Sequence, residues 1–248
     1  MIRTVRLLGL NFADLSAEQA ASTIASRCAG AAFRYVVTPN ADHLVRMSRD
    51  AELARIYQGA WLALLDSRVV AGFGHRLGLA VPSVAPGSDI TELLLNCYVL
   101  PRERITIIGM RATSLPKLVA RYNLVPPAHF DPPMGFDRDP IAFADTVAFA
   151  LAHPARLTFL AVGSPRQERI AAALAVSGQA SGTALCIGAS LDFLTGAERR
   201  APLWLRRHGL EWAWRLAGDP GRMARRYLVD SPRVIPLLLR ERRASGRP

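Results

Sequence analysis

The residues of this chain that are best suited to chemistry follow directly after short apolar runs. Asp66 comes after the run Trp61–Leu65, and Thr38 and Asn40 come after Arg34–Val37. Because ligands of open α/β sheets bind beyond the carboxyl ends of the strands, a carboxylate directly after an apolar strand is a candidate functional group, and we predict such a role for Asp66. For Asn40, a substrate contact and a simple helix N-cap are equally consistent with the sequence.

Three further apolar runs end in glycine. They are Ile105–Ile108 before Gly109, Leu157–Val162 before Gly163, and Ala184–Ile187 before Gly188. Asp192 follows closely after the last of these turns. Because ligands of open α/β sheets bind beyond the strand ends, these glycine turns and Asp192 are candidate substrate contacts.

The turn at Gly163 is the best formed of the three. Ser164 can N-cap the following helix, Pro165 suits its first position, and Gln167 completes the spacing of a capping box. The N–H groups at the start of a helix attract anions, so this turn is a candidate phosphate site. The alternative is that the Ser-Pro-x-Gln sequence only starts a helix.

Short apolar runs that alternate with longer helical patterns predict a parallel sheet built from strand–helix–strand units. We therefore predict an α/β fold that is Rossmann-like, with a mostly parallel sheet flanked by helices and a helical C-terminal appendage. All the residues named so far follow predicted strands, so this fold would bring them to one edge of the sheet.

The last fifty residues differ in charge from the rest of the chain. Residues 199–248 hold 13 Arg against four acids, a balance of +9, whereas residues 1–198 have a balance of +2. Three of the four Trp also lie in this segment. We predict a catalytic body over 1–198 and a basic appendage over 199–248 that meets an anionic partner.

Several other kinds of site are disfavoured by the sequence. The three Cys are far apart, which favours reduced thiols in a cytosolic compartment over disulfides or zinc. Asp137–Asp139 matches a metal-binding DxD pattern, but Asp139 suits a helix N-cap. Gly72–Gly74 lacks the third glycine of a dinucleotide site. We predict no cofactor, no metal, no signal peptide and no membrane-spanning segment.

An ordered set of short motifs resembles the WecG/TagA/CpsF family of bacterial glycosyltransferases, glycosyltransferase family 26. The resemblance covers most of the chain, and the motifs in this order are specific as a set. They are Thr38–Asp42, Asp66, Gly87-Ser88-Asp89, Gly163–Glu168, Gly188–Gly196, Arg200–Pro202, Gly209–Trp212, Arg215-Leu216 and Asp219–Tyr227.

The resemblance implies an inverting glycosyltransferase. Members of this family move a sugar from a UDP-sugar to a saccharide on undecaprenyl diphosphate, at the cytoplasmic face of the bacterial membrane and without an obligatory metal. By this resemblance Asp66 is the general base and Thr38 helps to hold the reacting groups. The appendage would fold over the site at the membrane, and Arg215, Arg222 and Arg225 would reach the UDP diphosphate.

The same resemblance assigns substrate contacts to four more residues, Ser88, Asp89, Gln167 and Glu168. One position departs from the family pattern. In the family this Asp is usually followed by Gly, whereas Asp66 is followed here by Ser67 and Arg68. This departure concerns which sugar is transferred rather than which class of reaction is catalysed. N-acetylmannosamine, its uronic acid and glucose are all open as the donor's sugar.

Two other interpretations compete with this one. A nucleic-acid-binding protein is compatible with the Arg content, but the charge is confined to the appendage and no recognised module is present. Another nucleotide-dependent enzyme, such as an oxidoreductase, is disfavoured by the missing glycine-rich motif. We expect no nucleic-acid partner and a peripheral location on the inner face of the membrane, and the sequence leaves assembly as a homo-oligomer open.

Overall fold

The computed structural model describes residues 2–197, 201–202, 204–205, 208–244 and 246, and only the backbone of residue 222. The strands are β1 Thr4–Leu7, β2 Leu10–Ala13, β3 Arg34–Val37, β4 Leu62–Ala63, β5 Thr106–Gly109, β6 Ala128–Phe130, β7 Leu157–Ala161 and β8 Thr183–Cys186. Within this part of the chain β1 and β2 form an antiparallel hairpin. The other six strands form one parallel sheet in the order β4-β3-β8-β7-β5-β6, which confirms the predicted Rossmann-like α/β fold.

Helices connect the strands and cover the sheet. In the body they are α1 Ala17–Ala25, α2 Ala41–Met47, α3 Ala51–Gln58, α4 Arg68–Arg76, α5 Gly87–Leu93, α6 Leu115–Tyr122, α7 Pro140–Ala152, α8 Arg166–Ser177 and α9 Ser190–Leu194. A π-helical turn, Leu94–Tyr98, extends α5. The weak dinucleotide pattern at Gly72–Gly74 lies inside α4 rather than in a strand-to-helix loop.

The sheet is buried on both faces because neighbouring residues of its strands point to opposite sides. Val36 and Phe159 belong to one hydrophobic cluster, and the next residues, Val37 and Leu160, belong to the other. All four side chains are at most 1% exposed. Two separate layers of apolar side chains therefore hold the strand ends in fixed positions.

The predicted strands are confirmed with small differences in their bounds. β3 has the predicted bounds, β7 ends one residue earlier than predicted, and β5 and β8 are each shifted by one residue at both ends. β4 is shorter than the predicted Trp61–Leu65, but Leu65 still bridges Val84 in parallel, so Asp66 keeps its place at a strand end. The hairpin and the edge strand β6 were missed by the sequence analysis.

The appendage continues as helices in the described residues. They are α10 Glu211–Gly218, α11 Pro220–Ala224 and α12 Val234–Ala244, with a π-helical turn Arg225–Asp230 and a short 3₁₀ turn Ser231–Arg233 before α12. Gly209 lies in a turn before α10 with φ +73°. The predicted boundary between residues 198 and 199 falls outside the described residues.

The appendage ends against the body. Val234 and Leu238 of α12 are at most 1% exposed and join the cluster that contains Val37. None of the residues of α10 is buried. Among the helices that the structure describes, none combines the length and the apolar composition needed to cross a membrane.

Candidate active site

The order of the strands opens a crevice at the carboxyl ends of β3 and β8. After β3 the chain moves outward to β4, whereas β8 is reached from β7 on the other side. Such a switch point is where ligands of open α/β sheets bind. Thr38 lies in it, and its hydroxyl group donates to the carbonyl oxygen of Cys186 at 3.2 Å.

Asp66 lies beside Thr38 because three loops are tied together here. The Asp66 backbone N–H donates to the Pro39 carbonyl oxygen at 3.0 Å, and the Asp66 carboxylate accepts from the Gly87 N–H at 3.3 Å. Gly87 is packed so closely that a Cβ atom would come 2.8 Å from the Thr38 hydroxyl oxygen. The candidate base and the candidate holding residue are therefore positioned by one glycine.

The surroundings of Asp66 raise the pKa of its carboxyl group to about 6. Burial is the largest cause, and repulsion from the carboxylates of Glu211 and Asp89 adds to it. Arg215 and the Gly87 N–H act in the opposite direction. A carboxylate with this pKa is mostly ionised at neutral pH and is a stronger proton acceptor than an ordinary Asp, which suits a general base.

The appendage brings a cation to this carboxylate. Arg215 of α10 stacks on the Phe193 ring with its guanidinium carbon 4.6 Å from the ring centroid, and it donates to the Glu211 carboxylate at 2.8 Å. Burial opposes the charge, but Tyr227, Glu211 and Asp66 outweigh it and raise the pKa of Arg215. Arg215 therefore stays cationic beside Asp66.

A second contact ties the appendage to α2. Asp42 is 3% exposed and forms ion pairs with Arg226 at 3.3 Å and with Arg46 at 2.8 Å. Arg46 also donates to the Ser164 carbonyl oxygen at 3.2 Å. His43 lies next to Asp42, and burial together with the charges of Arg226 and Arg46 lowers its pKa well below the ordinary value.

The turn between β7 and α8 differs from its predicted form. The predicted Ser164 cap and capping box are wrong, because α8 begins at Arg166 with Pro165 as N-cap and no side-chain cap. The Gln167 side chain instead accepts from the Gly188 N–H at 2.8 Å. This bond links the turn after β7 to the turn after β8. It gives the Gly188 N–H an acceptor that a local capping box at Gln167 would not provide.

Glu168 is part of the same buried group. Its carboxylate accepts from the Gln167 amide and the Tyr57 hydroxyl, each at 3.0 Å. Burial is the largest effect on its pKa, and it raises the pKa despite these donors and the nearby Ser164. The position of Gln167 and Glu168 makes them supports for the Gly163 and Gly188 turns.

The other predicted residues take several positions. Asn40 is the N-cap of α2 and accepts from the N–H groups of Asp42 and His43, which confirms the N-cap interpretation. Asp139 caps α7 in the same way. Ser88 and Asp89 lie in the first turn of α5 beside Gly87, and Asp192 lies in α9.

Gly109 and Arg225 are not brought close to Asp66. Gly109 ends β5, four strands away from β4, or about 19 Å at the usual strand spacing. Its φ is +90° and a Cβ atom would come 2.8 Å from the Ala161 backbone, so packing alone requires glycine. The Arg225 side chain is 86% exposed and lies 3.7 Å from Asp230. The side chain of Arg222 lies outside the described part of the structure, although its backbone is in α11.

Three residues of the site had no role in the sequence analysis. Glu211 and Phe193 hold Arg215, and Arg226 pairs with Asp42. The i,i+4 spacing of Glu211 and Arg215 is a signal that could have shown their pairing. Among the described residues, no group of three or more His, Cys, Asp or Glu side chains is placed to hold a metal ion.

A parallel α/β sheet with a candidate base and a cation at its switch point can bind a ligand and take a proton from an attacking group. Residues 5–248 match the family described as Glycosyl transferase WecG/TagA/CpsF family, and the chain belongs to this family. One similar protein is the N-acetylglucosaminyldiphosphoundecaprenol N-acetyl-beta-D-mannosaminyltransferase of Bacillus spizizenii. It is 26% identical over 220 residues, which cover 86% of this chain and 82% of that protein.

Proposed function

We propose that this protein is an inverting glycosyltransferase of surface-polysaccharide biosynthesis. It moves a hexose or N-acetylhexosamine-type sugar from a UDP-sugar to a saccharide on undecaprenyl diphosphate. Family membership supports the reaction class. The name of the Bacillus relative supports a lipid-diphosphate-linked N-acetylglucosamine as acceptor and N-acetylmannosamine as the first sugar to test.

The observation that carries the proposal is the electrostatic interaction between Asp66 and Arg215, a cation from the appendage. Asp66 takes the proton from the acceptor hydroxyl group as its oxygen forms a bond to the anomeric carbon. The bond from that carbon to the diphosphate oxygen breaks, and UDP leaves with the electron pair. A raised pKa favours proton acceptance, and the leaving diphosphate needs cationic partners.

Arginine supplies those partners in the proposed mechanism. Arg215 contacts the diphosphate, because its guanidinium group is held next to Asp66 by Phe193 and Glu211. We propose that Arg222 and Arg225 join it when the substrate is bound. For Arg225 this requires its exposed side chain to leave Asp230 and turn towards the site.

The remaining contacts are assigned along the edge of the sheet. Thr38 and Asn40 hold the reacting groups next to Asp66, and the first turn of α5 adds Ser88 and Asp89. The turns after β5, β7 and β8 face the nucleotide and its phosphates, with Gln167 and Glu168 as their supports. These turn residues are Gly109, Gly163, Ser164 and Gly188, and Asp192 of α9 is assigned to the same group of contacts.

We propose that the appendage docks on the inner face of the membrane, where the lipid-linked acceptor lies. The balance of +9 over residues 199–248 supports binding to anionic lipid, at about 1 kcal/mol per basic residue near the surface. Apolar side chains that are exposed on the described part of the appendage support it as well. They are Trp204, Leu210, Leu228, Val229 and Leu239.

The experiment that tests the proposal is a screen of UDP-sugars against lipid-diphosphate-linked acceptors, with structural analysis of the product. We expect transfer to a lipid-diphosphate-linked N-acetylglucosamine, inversion at the anomeric carbon, and release of one UDP per sugar. Retention of configuration would contradict the single-displacement mechanism. Failure with every UDP-sugar, with success for another nucleotide-sugar, would contradict the proposed donor.

A further inference from the structure

A groove between α2 and α12 has a composition unlike that of the candidate active site. Its walls come from two segments: Val45, Ser48 and Arg49 at the end of α2 and just after it, and Arg233, Pro236, Leu237 and Arg240 of the α12 region. Both sets follow helical spacing, so the groove is a direct result of packing α12 on the body. It encloses about 250 Å³.

The groove is lined by three arginines and by three apolar residues, Val45, Pro236 and Leu237. Of its three guanidinium groups, that of Arg233 pairs with Asp230 at 3.0 Å. Arg49 and Arg240 have no ion pair within the part of the chain that the structure describes. The Ser48 hydroxyl group already donates to the Val45 carbonyl oxygen at 2.8 Å. The charge available to a ligand is therefore that of two arginines on facing segments.

We propose that this groove binds the phosphate headgroup of an anionic phospholipid, with the guanidinium groups of Arg49 and Arg240 on the phosphate oxygens. Guanidinium groups pair with phosphate through two parallel hydrogen bonds. The apolar lining residues Val45, Pro236 and Leu237 suit the start of the acyl chains. The volume is slightly below the roughly 300–1,000 Å³ of small-molecule pockets, which suits a headgroup better than a nucleotide-sugar.

The position of the groove favours a lipid over a free anion. Four of its seven lining residues lie on the segment that carries most of the net positive charge. Leu239, which directly precedes Arg240, is 40% exposed. The inference rests on the proposed docking of the appendage on the membrane and adds a specific site to it. If the appendage docked through diffuse charge alone, every basic residue of α12 would contribute about equally to membrane binding.

The test compares two full-length variants that each lose two positive charges. Arg49→Gln with Arg240→Gln changes the groove, and Arg242→Gln with Arg243→Gln is the matched control on the same helix. Binding of short-chain dioctanoyl phosphatidylglycerol is measured by calorimetry, and binding to phosphatidylglycerol vesicles by co-sedimentation. Inorganic phosphate is the competitor that represents a free anion.

We expect the groove variant to bind the short-chain lipid at least about tenfold more weakly than the wild type, and the control to stay within about twofold. Equal losses in the two variants would overturn the proposal, because diffuse charge would then explain the binding. Competition by inorganic phosphate at the lipid's own concentration would overturn it in favour of a free-anion site.

The test also separates this inference from the proposed function. The groove variant should transfer sugar to a soluble acceptor analogue at the wild-type rate, because neither Arg49 nor Arg240 belongs to the site around Asp66. If no sugar transfer were found but the short-chain lipid still bound in the groove, the enzyme proposal would fail and the headgroup site would stand.

Discussion

The body and the appendage keep their positions by different interactions. In the body, fully buried apolar side chains such as Phe12 and Ile107 hold the sheet and its helices. Residues 211–230 of the appendage rest on the body through Arg215, Arg226 and the buried Met223. Beyond them, α12 is again anchored by apolar contacts through Val234 and Leu238.

This difference shows which part of the molecule can open at the lowest cost in free energy. Regions with few buried apolar contacts open locally at a smaller free energy than the core, and salt weakens partly exposed ion pairs. The segment 211–230 fits that description and contributes the cation of the site. We therefore expect this segment to open locally without disturbing the sheet or α12.

The largest expected effect comes from Asp66, the proposed base in the body. Asp66→Asn removes the base but keeps its shape, so turnover should fall roughly 10²–10⁴-fold in the radiometric or coupled transfer assay. Asp145→Asn, on the exposed face of α7, is a control that should leave turnover unchanged. Near-wild-type turnover of Asp66→Asn would remove Asp66 from the role of base.

The same variant has an expected effect on stability with a definite sign. The folded pKa of about 6 lies above the ordinary 3.8, so the ionised carboxylate destabilises the fold as pH rises through that range. Asp66→Asn should therefore melt higher than wild type at about pH 8 and show no such gain at about pH 4. A lower melting temperature at both values would mean that the carboxylate stabilises the loops instead.

A smaller effect is expected from the contact that joins the two regions. Arg226→Gln removes the appendage's ion pair with Asp42 and should lower turnover on the order of tenfold, as expected for coupled pairs. It should also speed protease cleavage within 211–230, because the segment would lift more often. Asp42→Asn in the Arg226→Gln background should add little to either effect.

Arg225→Gln is the matched control, because the Arg225 side chain is 86% exposed. It should leave cleavage unchanged and lower turnover less than Arg226→Gln does. A larger loss of turnover from Arg225→Gln than from Arg226→Gln would show that contact of Arg225 with the diphosphate outweighs the ion pair of Arg226.

A still smaller effect concerns the pH dependence that the appendage imposes on the body. Glu211→Gln removes a carboxylate that raises the pKa of Asp66 and frees Arg215 from its partner. The acid limb of kcat/KM, expected near pH 6 in the wild type, should move to lower pH by a fraction of a unit. Glu52→Gln on the exposed face of α3 should not move it, and an upward shift for Glu211→Gln would contradict the assignment.

The smallest effect should come from metal removal. Transfer activity measured with and without EDTA should be the same, because arginines are proposed to neutralise the diphosphate. Complete loss on chelation, restored by Mg²⁺ or Mn²⁺, would instead direct attention to Asp137 and Asp139.

The central strands could be predicted because each is a short apolar run closed by a glycine or a polar residue. The hairpin and β6 escaped for physical reasons. β6 has three half-buried residues at the edge of the sheet, so it has neither the length nor the full burial that marks the inner strands. The strands β1 and β2 alternate buried and exposed residues over only four positions each.

The candidate site was predictable where it depends on strand ends and not where it depends on long-range contacts. Asp66 and Thr38 follow strands, and the fold brings them together. The inward position of Arg226 follows from the π-helical turn that begins at Arg225, which changes the angular spacing expected from an α-helix. The Gln167 bond to Gly188 joins residues 21 apart in the chain, a distance that capping rules do not cover.

The close approach of Gly87 to Thr38 has a consequence for how this protein can vary. A methyl group at position 87 would meet the Thr38 hydroxyl oxygen at 2.8 Å and its methyl carbon at 3.4 Å. The two positions thus share one small volume, although 49 positions separate them in the chain. In a library of variants, alanine at 87 should survive chiefly together with a smaller residue at 38, so the pair should change as one unit.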